Sequence, residues 1–383
     1  MKPMKKKPTV LHLTHNDIKN DARTLKQIFT AEEHGFEVYG LGVRLQKGLR
    51  ESKLNIDAEI ESLNLFFQRL RLPKVLKHLT IMLELSARML IKGPRLKPDI
   101  IHCSDTLVLP IGALLKLLCS AKLVYDAHEL ESQKNGSTRI TSAATFFIER
   151  VLWRWVDALV VVSPSINDWY MENIGEKFSR VVLNSPIFDR SRPLNRNYLR
   201  EKFNISENHC IFLYIGILGE GRGIREILDT FSEGDVNASV VFLGYGPLEV
   251  DIRGASCFGS KIFIHEGVEN EKVVSISSSA DVGICLLQAV SLSDYYSLPN
   301  KIFEYVFAGL PVITTDFPDL RDFVVRYDLG VCIDFSKESF RNAVKNFIAD
   351  QGHTPNDKSF LEEVSWARQG IKLIECYEHV LKL

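Results

Sequence analysis

The sequence predicts two consecutive doubly wound α/β domains, each a parallel sheet covered by helices. Three observations carry that prediction. The chain has 383 residues, more than one ordinary core accommodates. Short apolar runs rich in β-branched residues recur along it, separated by helical lengths. The series breaks once, in the polar segment Ser185-Pro-Ile-Phe-Asp-Arg-Ser-Arg-Pro193, and then starts again.

In the first series, Thr9 to Thr14 reads as a buried strand and Asp21 to His34 as a helix. Gly35 to Gly42 supplies the helix stop and the next strand. Pro98 to Cys103, Ala121 to Asp126 and Ala158 to Ser163 are further strands. The second series runs through Cys210–Gly216, Ser239–Gly244, Ile262–His265, Val282–Cys285 and Pro311–Thr314. An amphipathic helix, Ser365 to Leu383, closes the chain. The expected parts are therefore residues 1–188, residues 189–364 and the helix 365–383. Parallel sheets gather function at the carboxyl ends of their strands, which makes the cleft between the domains the expected ligand site.

With 45% hydrophobic residues, the chain is no disordered segment, collagen or small disulfide scaffold. The formal net charge of -1 hides an asymmetry. Residues 1–188 carry 27 basic and 20 acidic side chains, and residues 189–383 carry 20 and 28. The basic half suits an anionic surface or acceptor. Seven cysteines stand singly with no C-x-x-C pair, as expected of free thiols in a reducing compartment. No apolar run is long enough to span a bilayer, and no signal-peptide pattern follows the basic opening. A cytoplasmic protein without a membrane span is expected.

The segment richest in chemistry is Ser297-Leu-Pro-Asn-Lys-Ile-Phe-Glu-Tyr-Val-Phe-Ala-Gly-Leu-Pro-Val-Ile-Thr-Thr315. Pro299 suits the first turn of a helix whose amides bind an anion, and Lys301 adds a cation beside them. Glu304, one turn on, is placed to accept hydrogen bonds from ribose hydroxyls. Gly309 and Pro311 then end the helix and begin a strand. A capped helix with a surface Lys–Glu pair satisfies the same residues.

Pro299, Lys301, Glu304, Tyr305, Ala308, Gly309, Pro311 and Val312 resemble the donor-site signature of retaining GT-B glycosyltransferases, in particular glycosyltransferase family 4 in its P-N-K subset, with Asn300. Other segments fall in the family's order. Tyr214 to Ile224 resembles the strand and loop opening the donor domain, with Gly216 at the strand end and Arg222-Gly223 supplying a phosphate-binding cation. Gly244-Tyr-Gly-Pro247 resembles the turn after the next strand. His265-Glu-Gly-Val268 resembles the strand end that meets the nucleotide base, at Val268. Tyr125-Asp-Ala-His-Glu129 resembles a segment that places His128 in the donor-sugar pocket, although a loop histidine satisfied by Asp126 or Glu129 fits the same residues. Asn16 to Arg23 matches an N-D-x-R type variant, in which Arg23 either touches phosphate or acceptor or pairs locally with Asp21.

The resemblance implies two facing Rossmann-like domains, with the closing helix crossing back to the first. It implies a nucleotide diphosphate sugar as donor, a carbohydrate or lipid-linked acceptor, retention of configuration and no metal. His128, Lys301, Arg222 and Glu304 are the expected catalytic set, and Gly216, Gly244, Val268, Pro299 and Asn300 complete donor binding. No nucleic-acid partner is expected. Two positions depart from the pattern. Tyr296 stands where many members have the first Glu of an E-x7-E pair, with Asp294 two residues earlier as a substitute. Ile217 stands where many have an arginine. These departures keep open a catalytically silent subunit and, less well, a sugar-nucleotide epimerase.

From Leu63 to Lys92, Arg69, Arg71, Lys74, Lys77, Arg88 and Lys92 face the single acid Glu84. Val75, Leu76, Leu79, Met82, Leu83 and Leu90 recur there at helical spacing. The segment reads either as an interfacial helix on anionic lipid or as a core helix packed on the sheet with its basic residues in water, the core helix being the expected outcome.

Overall fold

The computed structural model describes residues 7–44, 56–187, 194–350 and 360–383. The chain divides into two units, residues 1–182 with 370–383, and residues 183–369. The division falls inside the closing helix, Trp366–Lys382, whose last residues from Gly370 belong to the first unit. The sequence-based boundary at residues 188 and 189 lies outside the described residues.

The first unit is built on seven parallel strands: β1 (Thr9–Thr14), β2 (Glu37–Val43), β3 (Glu59–Leu63), β4 (Ile100–Ser104), β5 (Lys122–Ala127), β6 (Ala158–Val161) and β7 (Ser179–Val181). Their order across the sheet is β3-β2-β1-β4-β5-β6-β7. The chain first builds outward from β1 and then resumes at β4 on the other side of β1. That reversal is the point at which ligands bind in open α/β sheets. The helices are α1 (Ala22–Glu33), α2 (Lys74–Lys92), α3 (Leu109–Cys119), α4 (Arg139–Leu152) and α5 (Pro164–Asn173). Right-handed crossovers put α2, α3 and α4 on one face of the sheet and α1 on the other.

The second unit repeats the scheme with β8 (Cys210–Ile217), β9 (Ala238–Tyr245), β10 (Ile262–His265), β11 (Val282–Cys285), β12 (Val312–Thr315) and β13 (Gly330–Ile333), in the order β10-β9-β8-β11-β12-β13. Its reversal falls between β8 and β11. Two apolar clusters, one on each face of this sheet, account for its core. Tyr305 ties the helix Asn300–Ala308 to the sheet, donating to the Ile284 carbonyl (2.8 Å) and accepting from the Ile215 amide (2.9 Å).

Strands β3, β7 and β13 have no counterpart among the predicted elements. All three are sheet edges, and each is half exposed for most of its length. Half exposed, these edges need no apolar run and leave none to read, whereas the remaining edge, β10, is mostly buried and carries one.

The segment 63–92 departs from core packing. Of α2, Leu85 and Met89 are buried, whereas Val75, Leu76, Leu79 and Leu83 are exposed. The helix meets its own unit through its C-terminal half.

Candidate active site

The carboxyl ends of β8 and β11 meet the N-terminus of the helix Asn300–Ala308. Pro299 is the N-cap of that helix, extended at ψ 150°, and makes no side-chain cap. It therefore stands one position before the first turn expected for it, and the leading amides keep their donors available to a ligand. Lys301, in the first turn, is 9% exposed, and its Nζ lies 4.0 Å above the Tyr214 ring. Among the described residues, no carboxylate stands within ion-pair distance of this ammonium. Nζ is also 3.7 Å from where a Cβ on Gly216 would lie. Gly216 has φ +123°, and its lack of a side chain leaves β8 open beside the cation.

Gly244 pairs with Gly216 across β8 and β9, and a Cβ there would run into the Gly216 carbonyl oxygen. The two glycines are thus required together at the strand ends. Arg222, on the loop after β8, is 39% exposed, with Nη1 3.7 Å from Asp294 Oδ1. Asp294 also accepts from Ser291 Oγ (2.8 Å). The residue weighed as a substitute for the missing glutamate therefore faces the arginine expected on phosphate. Both Lys301 and Arg222 act electrostatically on the buried Cys285 thiol, which marks β11 as their common neighbour. Glu304 is half-buried one turn beyond Lys301, and Asn300 is exposed at the helix start. Val268 follows β10 and packs partly against the core of the unit. Gly216, Gly244 and Lys301 are in direct proximity, and Arg222 pairs with Asp294.

His128 belongs to the first unit, one residue past β5, with its side chain 19% exposed. Its Nε2 lies 3.1 Å from Asp126 Oδ2 and its Nδ1 3.6 Å from Asp105 Oδ1. Burial opposes its charge, but the Asp126 and Asp105 carboxylates prevail and hold the imidazolium to about 9. Because this exceeds the unfolded value of ~6.5, the resulting stabilisation is complete below that pH. It is lost as pH rises through about 9. His128→Gln is expected to flatten the dependence of unfolding free energy on pH across this window, as measured by urea denaturation. A variant profile as steep as that of the wild type would overturn the assignment.

Arg23 is turned into the first unit rather than paired with Asp21. It is 4% exposed and grips Asp126 with two bonds, Nη2 to Oδ1 at 2.9 Å and Nε to Oδ2 at 3.2 Å. Its Nη1 donates to the Val182 carbonyl (2.9 Å). Asp21 instead caps α1, accepting from the amides of Arg23 and Thr24. The pairing is long-range rather than local, which no spacing rule reveals. Burial works against the Asp126 charge, yet Arg23 and His128 hold its carboxyl well below the usual range.

Sequence reasoning missed Asp105 and Glu131. Asp105 is the first residue past β4, at φ 72° and ψ 160°, a conformation costly for any residue but glycine. Its carboxylate stands between His128 and His15, whose Nδ1 is 3.5 Å away. Glu131 is buried beside it, bonded to Lys134 (3.0 Å), with Oε1 unpartnered. Burial and the Asp105 charge push its carboxyl up to about 7. The position of Asp105, just past a central strand at the reversal point, is the same signal that drew attention to His128.

The profile of the glycosyl transferase 4-like domain matches residues 28–186, and that of the glycosyl transferases group 1 matches residues 195–362. No curated protein sequence matches the chain. Among solved structures, HepE of Anabaena in complex with UDP and glucose is similar at a TM-score of 0.75 and 15% identity, covering 98% of this chain and 99% of that one. Sucrose-phosphate synthase from Thermosynechococcus elongatus aligns at 0.71 and 14%, covering 98% and 97%. WaaG, a glycosyltransferase involved in lipopolysaccharide biosynthesis, aligns at 0.63 and 14%, covering 97% and 98%. The strand orders, the two profiles and these folds agree: the chain belongs to the GT-B glycosyltransferases, with a glycosyl transferase 4-like first domain and a group 1 second domain.

Proposed function

We propose that this protein transfers a sugar from a UDP-sugar to a carbohydrate or lipid-linked acceptor, with retention of configuration, in surface polysaccharide or glycoconjugate assembly. One observation carries the reading. Lys301 is a nearly buried cation with no carboxylate partner among the described residues, beside uncapped helix amides at the reversal point of its sheet. Burying an unpaired ammonium is costly unless an anion arrives. A diphosphate supplies it. The UDP seen with HepE motivates the choice of base.

In the transfer, the bond from the anomeric carbon to the diphosphate oxygen breaks and a bond to the acceptor oxygen forms on the same face. The acceptor proton passes to the departing diphosphate. Lys301, Arg222 and the amides of Asn300 and Lys301 offset the charge that builds on the leaving group. This leaves no step that needs a metal, and full activity in EDTA is expected. Glu304 holds the ribose, with Gly216, Gly244, Val268 and Pro299 shaping the donor site. His128 contacts the transferred sugar, and Asp105 with Glu131 offers acceptors to hydroxyl groups. The protein works at the cytoplasmic face of a membrane, in peripheral contact through residues 63–92.

Thermal-shift measurements against UDP, GDP, ADP and CMP test the donor assignment. Ligand at ~100 times its dissociation constant adds about 2.7 kcal/mol of stability. UDP is expected to raise the melting temperature of the wild type and to lose that effect in Lys301→Ala. A chain that no nucleotide stabilises would sink the reading.

A further inference from the structure

In the first sheet β1, β4 and β5 are neighbours, and their register sets Thr14 beside Ser104 and Ser104 beside Asp126. The side chains just past these strand ends therefore form a row, His15, Asp105 and His128. Glu131, on the single turn Glu131–Gln133, adds its carboxyl beside Asp105. Two features of this cluster call for a ligand. Glu131 is 4% exposed, and its Oε1 has no hydrogen-bond partner. Asp105 is held at its strained angle by its own amide, which donates to the Asp126 carbonyl (3.1 Å), so its carboxylate is fixed in place. A buried carboxyl oxygen left without a donor is costly, and Asp105 beside it is another acceptor. Once Glu131 ionises, above about 7, the pair has no hydrogen to share.

Charge selects the class of donor. The His128 imidazolium and the Lys134 ammonium stand against the two carboxyls. His15 adds no charge at neutral pH, because burial lowers its pKa. Deeper in the unit, Arg23 and Asp126 offset each other, and burial keeps His102 neutral. A cationic ligand would meet Lys134 and His128, and an anionic one would meet both carboxyls. Among the described residues, no three His, Cys, Asp or Glu side chains are grouped to hold a metal ion. A neutral ligand that donates through hydroxyls satisfies the cluster, and two adjacent carboxyls suit hydroxyls on neighbouring carbons.

We propose that Asp105 and Glu131 bind a neutral sugar ring through two adjacent hydroxyls, and that this ring belongs to the acceptor. A donor sugar carries a diphosphate, whose charge the acidic pair repels and Lys301 with Arg222 attracts. The proposal deepens the sugar-transfer reading and rests on it in calling the ring an acceptor.

The test is saturation-transfer NMR of the full chain, without nucleotide, against the methyl α-glycosides of glucose, mannose and galactose. Glucosamine and glucose 6-phosphate serve as the cationic and anionic probes. At least one methyl glycoside is expected to bind more tightly than either charged sugar. Asp105→Asn is expected to weaken it about tenfold, the scale of a hydrogen bond to a charged group, and Glu131→Gln severalfold. Asp105→Gly relieves the strained angle and must lose the ligand in the same way, which separates the carboxylate from the backbone. The UDP-induced thermal shift should be unchanged in all three variants, so failure here is distinguishable from failure of the donor site. Wild-type protein that binds none of the methyl glycosides overturns the proposal, as does preference for a charged sugar or full binding by both Asp105 variants. Variants that keep the glycoside but lose the extra stabilisation of UDP-glucose over UDP would assign the pair to the donor's sugar and overturn it too.

Discussion

Lys301→Ala is expected to lower the rate of sugar transfer about 10²- to 10³-fold, the scale on which a preorganised charge at a leaving group contributes. The ammonium is held against Tyr214 and beside Gly216, so it is in place before the diphosphate charge grows. An interaction that strengthens as the bond breaks lowers kcat and kcat/KM together when removed. Initial rates with a UDP-sugar donor over a range of concentrations measure both. A variant whose KM alone rises would make Lys301 a binding residue only, and unchanged rates would remove it from the site. Arg222→Ala should act in the same direction but less, because that side chain is more exposed and already faces Asp294. Neither change should unfold its unit, whose core lies in the two apolar clusters around the sheet.

Arg23→Met is expected to destabilise the first unit by about 3 kcal/mol, the low end of the cost of breaking a buried pair, because the His128 imidazolium still faces Asp126. The residue left behind is Asp126, fully buried, with His102 (3.3 Å), His128 (3.1 Å) and Gln27 (2.6 Å) as its remaining neighbours. Neutral His102, whose pKa burial lowers, gives little compensation. Urea unfolding followed by tryptophan fluorescence reads this directly. The four tryptophans are Trp153, Trp155, Trp169 and Trp366, and the first three lie in the first unit. Adding Asp126→Asn to Arg23→Met should recover part of the loss, since the buried carboxylate charge is then gone. A single variant within about 1 kcal/mol of the wild type would show that the pair contributes little.

Arg23 also shows how far sequence reasoning reached. At the start of a helix after the first strand, it reads as a local partner of Asp21 or as a ligand contact. The structure sends it across the sheet to Asp126, 103 residues on. His12, His102 and Tyr377 join the same buried network, Tyr377 from the closing helix, with its hydroxyl 2.9 Å from His102 Nδ1 and 3.3 Å from His12 Nε2. No local pattern encodes such a cluster, because each member is polar within an otherwise apolar segment. Asp105 escaped for a related reason. Its significance lies in a backbone angle and two histidines from other loops, none of which is visible in the residues beside it.

What the sequence determined by itself was the pair of doubly wound sheets, because central strands must be apolar on both faces and so announce themselves. The central strands Thr9–Thr14 and Val282–Cys285 were legible down to their bounds, and so was the mostly buried edge strand Ile262–His265. It also determined the Pro299 to Val312 segment, since a helix start, a cation and a glycine stop are fixed by neighbours in the chain. Tertiary structure alone decided the edge strands β3, β7 and β13, the burial of Arg23, and the exposure of α2. Each depends on what packs against a segment from far along the chain. Periodicity shows that a helix has an apolar side, but only the completed sheet shows whether protein is there to cover it.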